Sequence, residues 1–291
     1  YRPGVQLDYP MGGSASLVEA LARGVTKHNG QIKTGAHVAS IETVDGKATG
    51  VKLRNGETIH ARKAVVSNAS IWDTLPLIAE EALPKKFAEK RQSMPPCDSF
   101  MHLHLGIEAE GLPSDLACHY IVVNGWEVGI TAPQNLVLIS IPSVLDPSLA
   151  PAGKHTIHVY TPGNEPYELW EGLQAGTPEY EKQKEVRSEV MWQALERVIP
   201  DIRARTTLSL TGTPLTHQRF LRRHRGSYGP AIYAGQSLFP GPKTPISKLL
   251  CCGDSTFPGI GLPAVAASGM MTAHTLVSVE QQKETLRSVL T

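Results

Sequence analysis

Cysteine is scarce in this 291-residue chain, and its four cysteines, Cys97, Cys118, Cys251 and Cys252, show no metal-ligand spacing. Cys251 and Cys252 are adjacent within an apolar run, which fits packed, reduced thiols better than a disulfide framework. Net charge is also nearly absent: a formal +1 gives no reason to expect a nucleic-acid partner. No apolar run approaches the ~20 residues that a membrane-spanning helix needs. Gly-x-Ser-x-Gly, Walker, His-Glu-x-x-His and Cys-x-x-Cys patterns are missing, and Asp98, Asp115, Glu127 and Asp146 are scattered carboxylates without a partner in spacing. These absences leave nucleophilic and metal catalysis without support, so no acid, base or metal set is assigned and any enzymatic chemistry belongs to a cofactor. An initiating Met is absent too. Tyr1-Arg2-Pro3-Gly4 is neither a signal nor a transit peptide and reads as the middle of a longer chain.

The most informative stretch lies near the end, from Leu249 to Gly269. An apolar run of strand length, Leu249-Leu250-Cys251-Cys252, meets Gly253-Asp254. A loop punctuated by Pro258, Gly259 and Gly261 follows, and then a helix of small residues. A strand–turn–helix of this kind leaves free backbone N–H groups at the helix start. Pro263 suits the first helical turn, where its missing N–H costs nothing. Gly259 and Gly261 remove side chains where a flat or charged ligand would approach, and Asp254 can accept hydrogen bonds from ligand hydroxyls. The stretch reads as a contact to a nucleotide cofactor. Gly259-x-Gly261-x-x-Ala264 matches the dinucleotide fingerprint in outline, but no second strand remains in the chain to carry the usual acidic residue. A tight helix–strand packing corner is the structural alternative.

Earlier segments are organised in three blocks. After Tyr9-Pro10-Met11-Gly12-Gly13, Ser16 and Glu19 have capping-box spacing, and Leu17, Val18, Leu21, Ala22 and Val25 form an apolar helical stripe. Asp45-Gly46 and Asn55-Gly56 join His37–Val44, Lys47–Leu53 and Glu57–His60 into an expected three-strand meander. Val65-Val66-Ser67-Asn68-Ala69 has the form of a central strand running up to a ligand. Strands are expected at Phe100–Ile107, His119–Val123, Asn135–Ile141, Lys154–Tyr160 and Arg205–Leu210, with a long helix opening at Thr177-Pro178-Glu179 and stopping at Pro200. The pattern predicts α/β segments at 1–71 and 248–291, interrupted by a mixed-sheet, α+β substrate domain over 72–247.

Histidines and arginines supply weaker signals. His102 and His104 share one strand face, opposite Met101, Leu103, Leu105 and Ile107. Two imidazoles at this spacing could bind a metal, but the sequence names no third ligand, and solvent- or cavity-facing histidines on an amphipathic strand are the favoured reading. His155 and His158 have opposite parity. His217–Arg225 is the one dense basic run. It reads as a solvated helix face, as a positive rim near a cofactor, or as a patch for anionic lipid giving peripheral membrane contact.

The motif Gly253-Asp254-Ser255-Thr256-Phe257-Pro258-Gly259-x-Gly261-x-Pro263-Ala264-Val265-Ala266-x-Ser268-Gly269 resembles the C-terminal flavin motif of phytoene desaturase and carotenoid isomerase-like FAD proteins. Pro10-Met11-Gly12-Gly13, the meander and Val65–Ala69 resemble the middle of that family. Phe100–Gly106 and Thr213–Phe220 are most similar to its plant prolycopene isomerase-like branch. The resemblance implies an FAD-binding Rossmann-type domain, incomplete here because the family's N-terminal Gly-x-Gly-x-x-Gly unit has no counterpart in these residues. It also implies a lipophilic polyene substrate, isomerised or desaturated, and a plastid location. By the same resemblance Asp254 bonds the ribityl or pyrophosphate part of FAD, and Gly253 shapes the turn before it. The backbone of Gly259, Ile260, Gly261, Leu262, Pro263 and Ala264 faces the pyrophosphate–flavin end, Val38 pairs with the adenine edge, and Asn68 and Ala69 close the nucleotide side. Two other readings stay open: a truncated product that does not hold FAD, and a nicotinamide-dependent dehydrogenase using Gly259–Ala264.

Overall fold

The computed structural model describes residues 9–235 and 238–290, so Tyr1–Gly4 lies outside the described residues. In chain order the elements are α1 (Gly13–Lys27), β1 (Val38–Val44), β2 (Lys47–Leu53), β3 (Thr58–His60), β4 (Val65–Ser67), α2 (Ile71–Thr74), α3 (Lys85–Gln92), β5 (His102–Glu108), β6 (His119–Val123), β7 (Leu136–Ser140), β8 (Lys154–Tyr160), α4 (Pro178–Glu196), α5 (Ile202–Arg205), β9 (Thr206–Gly212), α6 (Pro214–Leu221), β10 (Leu249–Cys251), α7 (Leu262–His274) and α8 (Val279–Leu290). The chain divides into two compact units. One takes the described residues up to Thr34 with Asp98–His217, the other Gly35–Cys97 with the described residues from Gln218 onward. The boundaries of these units fall at 34/35, 97/98 and 217/218. α1 groups with the central sheet, and residues 72–97 group with the meander.

The first unit is built on a five-stranded sheet in the order β6-β7-β8-β5-β9. Every neighbouring pair is antiparallel, so the expected mixed sheet is corrected to a purely antiparallel one. β6–β7 and β7–β8 are consecutive strands, which pair antiparallel without a crossover helix, whereas β5 pairs with β8 and β9 across the elements between them. Alternation assigns the faces. Met101, Leu103, Leu105 and Ile107 are buried together with Val137, Ile139, Ile157 and Val159. α4 covers this face with Met191, Ala194 and Leu195. The helix starts as its sequence requires: Pro178 stands in the first turn, and the Thr177 hydroxyl accepts from the Tyr180 N–H at 3.4 Å. Inside this core Glu165 is fully buried. It is held by two Arg187 donors at 2.9 and 2.7 Å and by the Trp170 indole N–H at 2.8 Å.

α1 begins three residues before the expected cap. Gly12 precedes it in a left-handed conformation, φ 83°, and donates its N–H to the Asp146 carboxylate at 2.6 Å. Ser16 is therefore inside the helix, where its hydroxyl donates back to the Gly13 carbonyl at 2.8 Å. The stripe of Leu17, Val18, Leu21 and Val25 is open to solvent among the described residues.

The second unit holds the meander, the pair β4–β10, and α2, α3, α7 and α8. β1, β2 and β3 pair antiparallel in sequence order as expected. Positive φ at Asp45 (47°) and Gly46 (70°) makes the first hairpin turn. The turn is stitched to the approach of β10 by the Ala48 N–H to the Ser247 carbonyl, 2.8 Å, and the Ser247 N–H to the Gly46 carbonyl, 2.9 Å. A small core of Ile41, Ala48, Ile78, Ile246 and Leu249 lies beneath.

Candidate functional site

β4 and β10 run parallel, pairing Leu249 with Val65, Leu250 with Val66 and Cys251 with Ser67. Parallel pairing brings two carboxyl ends of strands to the same edge, which is where α/β sheets hold ligands. Asn68 follows one strand and Cys252-Gly253-Asp254 the other. The ladder extends by one bond past the strands, from the Cys252 N–H to the Ser67 carbonyl at 3.0 Å. α7 is fastened to this edge by its small polar residues. The Gly253 N–H donates to Ser268 Oγ at 3.1 Å, and the Thr272 hydroxyl donates to the Cys251 carbonyl at 3.1 Å. Small side chains on α7 thus let the helix start close to the strand end.

Gly253 and Gly259 are fixed by space and by backbone conformation together. Gly253 has φ 109°, and a Cβ there would meet the Asn68 amide at 2.8 Å. Gly259 has φ 117°, and a Cβ would press into the Phe239 ring at 2.7 Å. L side chains rarely adopt such φ values. Gly261, φ 104°, faces open space, with no atom within 4 Å of the position a Cβ would take. It precedes α7 without a side-chain cap, Pro263 stands in the first turn, and the first helical bond is the Val265 N–H to the Gly261 carbonyl, 2.9 Å. The N–H groups of Leu262 and Ala264 therefore lie ahead of the intrahelical ladder, at the positive end of the helix dipole. Ile260 and Leu262 are exposed beside them.

Asp254 is the buried charge of the site, 7% exposed. Arg223 Nε stands 3.2 Å from its Oδ2, and the Ser255 hydroxyl donates to Oδ1 at 3.3 Å. The same guanidinium donates to the Asn68 carbonyl at 2.8 Å and to Asn68 Oδ1 at 3.4 Å. Arg223 thereby ties the ends of β4 and β10 together. Burial pushes the Asp254 carboxyl above the usual carboxylate range, and Arg223 followed by the Ser255 hydroxyl pulls it back. The backbone N–H groups of Ser255 and Asp254 also bond this carboxylate, so most of its roughly four lone-pair sites are engaged within the fold. Burial also pushes the neighbouring Cys251 thiol up to about 11, which keeps it protonated and inert.

Of the residues expected to form the site, Asn68, Gly253 and Asp254 are brought together through Arg223, and Gly259–Ala264 form the turn into α7. The Ala69 carbonyl accepts from the Thr74 hydroxyl at 3.4 Å beside them. Val38 is elsewhere. It opens β1 at the end away from Gly46, and seven residues at ~3.3 Å each put roughly 20 Å of strand between it and that turn. Among the described residues no hydrogen bond or ion pair connects Val38 with the loop.

Sequence reasoning did not single out Arg223, although one of its readings of His217–Arg225 was a positive rim near a cofactor. The residue's only signal was the basic run, which the structure breaks up. α6 ends at Leu221, and Arg222 and Arg225 turn the backbone with φ of 55° and 51°. Arg223 then points inward while His224 stacks on Trp72 with ring centroids 4.8 Å apart. The run is therefore not one solvated helix face.

An uncapped helix start, an open position at Gly261 and a partly satisfied buried carboxylate form a cradle that fits the phosphates and hydroxyls of a nucleotide cofactor. Relatives point the same way. The chain is similar to the chloroplastic prolycopene isomerase of Daucus carota, 37% identical over 98% of this chain and 47% of that protein. It is more distantly similar to a lycopene-forming phytoene desaturase of Pseudescherichia vulneris, 26% identical over 92% of this chain and 56% of that protein. The chain spans about half the length of the curated relatives it matches. Its fold is that of an oxidoreductase from Methanosarcina mazei, with TM-score 0.61, 22% identity, 91% of this chain and 55% of that one covered. The model of flavin containing amine oxidoreductases matches residues 6–277, and the chain belongs to that family.

Proposed function

We propose that the protein is an FAD-dependent oxidoreductase that isomerises a carotenoid-like polyene, as prolycopene isomerases do. The observation that carries this reading is the 37% identity over nearly the whole chain with such an enzyme, and the cradle at Gly253–Ala264 supports it. Asp254, Arg223 and Asn68 would hold the hydroxyl-rich part of FAD, and the Leu262 and Ala264 N–H groups its anionic part. Bound FAD supplies reversible electron or hydride transfer, which lowers the order of a polyene double bond so that it can rotate. The protein's residues contribute binding and orientation, with the buried carboxylate held by Arg223. The substrate is a lipophilic polyene, and the named location of the relatives suggests a plastid. Peripheral membrane contact would follow from a substrate of this kind. Desaturation is the second reading, supported by the more distant desaturase similarity.

The test is a flavin absorbance spectrum of the full-length product, followed by product analysis with poly-cis and with saturated polyenes. Isomerised product without net oxidation is expected; oxidised product would select desaturation, and no bound flavin would sink both readings. Asp254→Ala should weaken FAD retention by one charge-assisted hydrogen bond, about 1.5–3 kcal/mol or roughly 10- to 150-fold. Unchanged FAD affinity in that variant would remove Asp254 from the site.

A further inference from the structure

The antiparallel sheet of the first unit has a second face, and its chemistry is unlike the first. Register aligns His104 of β5 with His158 of β8, and His102 with Tyr160. The three imidazoles form a parallel stack. Ring centroids are 4.9 Å apart for His102–His158, 4.5 Å for His104–His158 and 5.8 Å for His102–His104, with interplanar angles of 7° or less. His217, in the first turn of α6, brings a fourth ring to 4.5 Å from that of His102, tilted by 46°. Each of His102, His104 and His158 can offer one nitrogen such that all three lie within 4.8 Å of one another.

One further feature bears on what this cluster can hold. His102 is buried, one ring nitrogen shares a hydrogen with His158 Nε2 at 2.6 Å, and the other, Nε2, is buried with no hydrogen-bond partner. A buried polar atom left unsatisfied costs about 1–3 kcal/mol, and a metal ion would satisfy it.

We propose that His102, His104 and His158 form a binding site for a divalent transition metal of the zinc class. Three imidazoles without a carboxylate suit zinc, copper, nickel or iron, and do not suit magnesium or calcium, which take oxygen ligands. Zinc–nitrogen distances are about 2.0–2.1 Å, so binding requires the His102–His158 hydrogen bond to open and the stacked rings to rotate until their nitrogens converge on one ion. His104 is exposed, which leaves an approach for the ion and an outer coordination position open to water. This proposal is independent of the flavin reading, because all its residues lie in the other unit.

The test is titration of the chelator-treated, purified protein with Zn²⁺ by calorimetry and with Co²⁺ by its visible ligand-field absorption. One ion per chain is expected, with a cobalt spectrum of nitrogen coordination. His104→Ala, at an exposed position that should not disturb folding, and His158→Gln, which keeps a polar group, should each weaken binding at least about 10-fold, since losing even an outer-shell partner costs 10- to 100-fold. His60→Ala, an exposed histidine of β3, should leave it unchanged. Absence of Zn²⁺ and Co²⁺ binding, or binding that neither His104→Ala nor His158→Gln alters, would overturn the site.

Discussion

The two units solve the same problem of order with different means. In the first, five antiparallel strands bury one continuous apolar face beneath α4, and its most polar element, Glu165, is locked from three sides. In the second, the buried apolar cluster is small, and shape is set at single backbone positions such as Gly253, Gly259 and Gly261. Packing energy holds the sheet, whereas steric exceptions hold the loop. A large core tolerates small losses at many places, while a loop of this kind depends on a few residues that have no substitute.

That contrast is broken most directly at Glu165. Arg187→Met leaves a fully buried carboxylate without its cation and should cost about 3–5 kcal/mol, read by denaturant unfolding. A loss below ~1 kcal/mol would show that the first unit does not depend on the pair. Gly259→Ala should cost about 1–3 kcal/mol through its φ and the Phe239 ring, and should also weaken flavin retention. Equal stability and equal retention in that variant would contradict the steric account of the loop.

The pH dependence of the cofactor-free protein sharpens the comparison further. The Asp254 carboxyl lies above its ordinary value in the fold because it is buried. Its contribution is therefore full below the unfolded-state value and declines as pH rises through the folded one. Asp254→Asn removes that decline, so the stability difference between variant and wild type should grow as pH rises through and just above the carboxylate range. Parallel curves in thermal melts across that range would show that the site carries no such strain. Thr177→Ala, which removes the α4 cap, should cost ~1 kcal/mol in the first unit. Glu19→Ala, breaking an exposed pair with Arg23, should change stability by less than about 0.5 kcal/mol.

Local signals in the sequence were enough for most elements. Asp-Gly and Asn-Gly turns fixed the meander, and alternation in Phe100–Ile107 separated a buried apolar face from a histidine face as the structure has it. Cross-strand register was not legible. The opposite parity of His155 and His158 says nothing of which faces β5, yet the register sets His158 directly opposite His104. The all-antiparallel order escaped for the same reason, since pairing is a property of two segments and neither carries it alone. At the site, the glycines and Asp254 could be read from one stretch. Arg223 could not, because its role depends on a backbone turn at Arg222 that a run of basic residues does not announce.

The parallel pair β4–β10 carries a consequence in time. Asn68 and Cys252 meet across 184 residues of chain. At synthesis rates of ~5–20 residues per second, β4 waits roughly 10–40 s for its partner strand. No earlier segment can complete the edge, since both the second strand and α7 come from the last fifth of the sequence. This edge is thus among the last parts of the described chain to form, since β4 has no parallel partner and no helix fastened beside it until β10 and α7 have both been made.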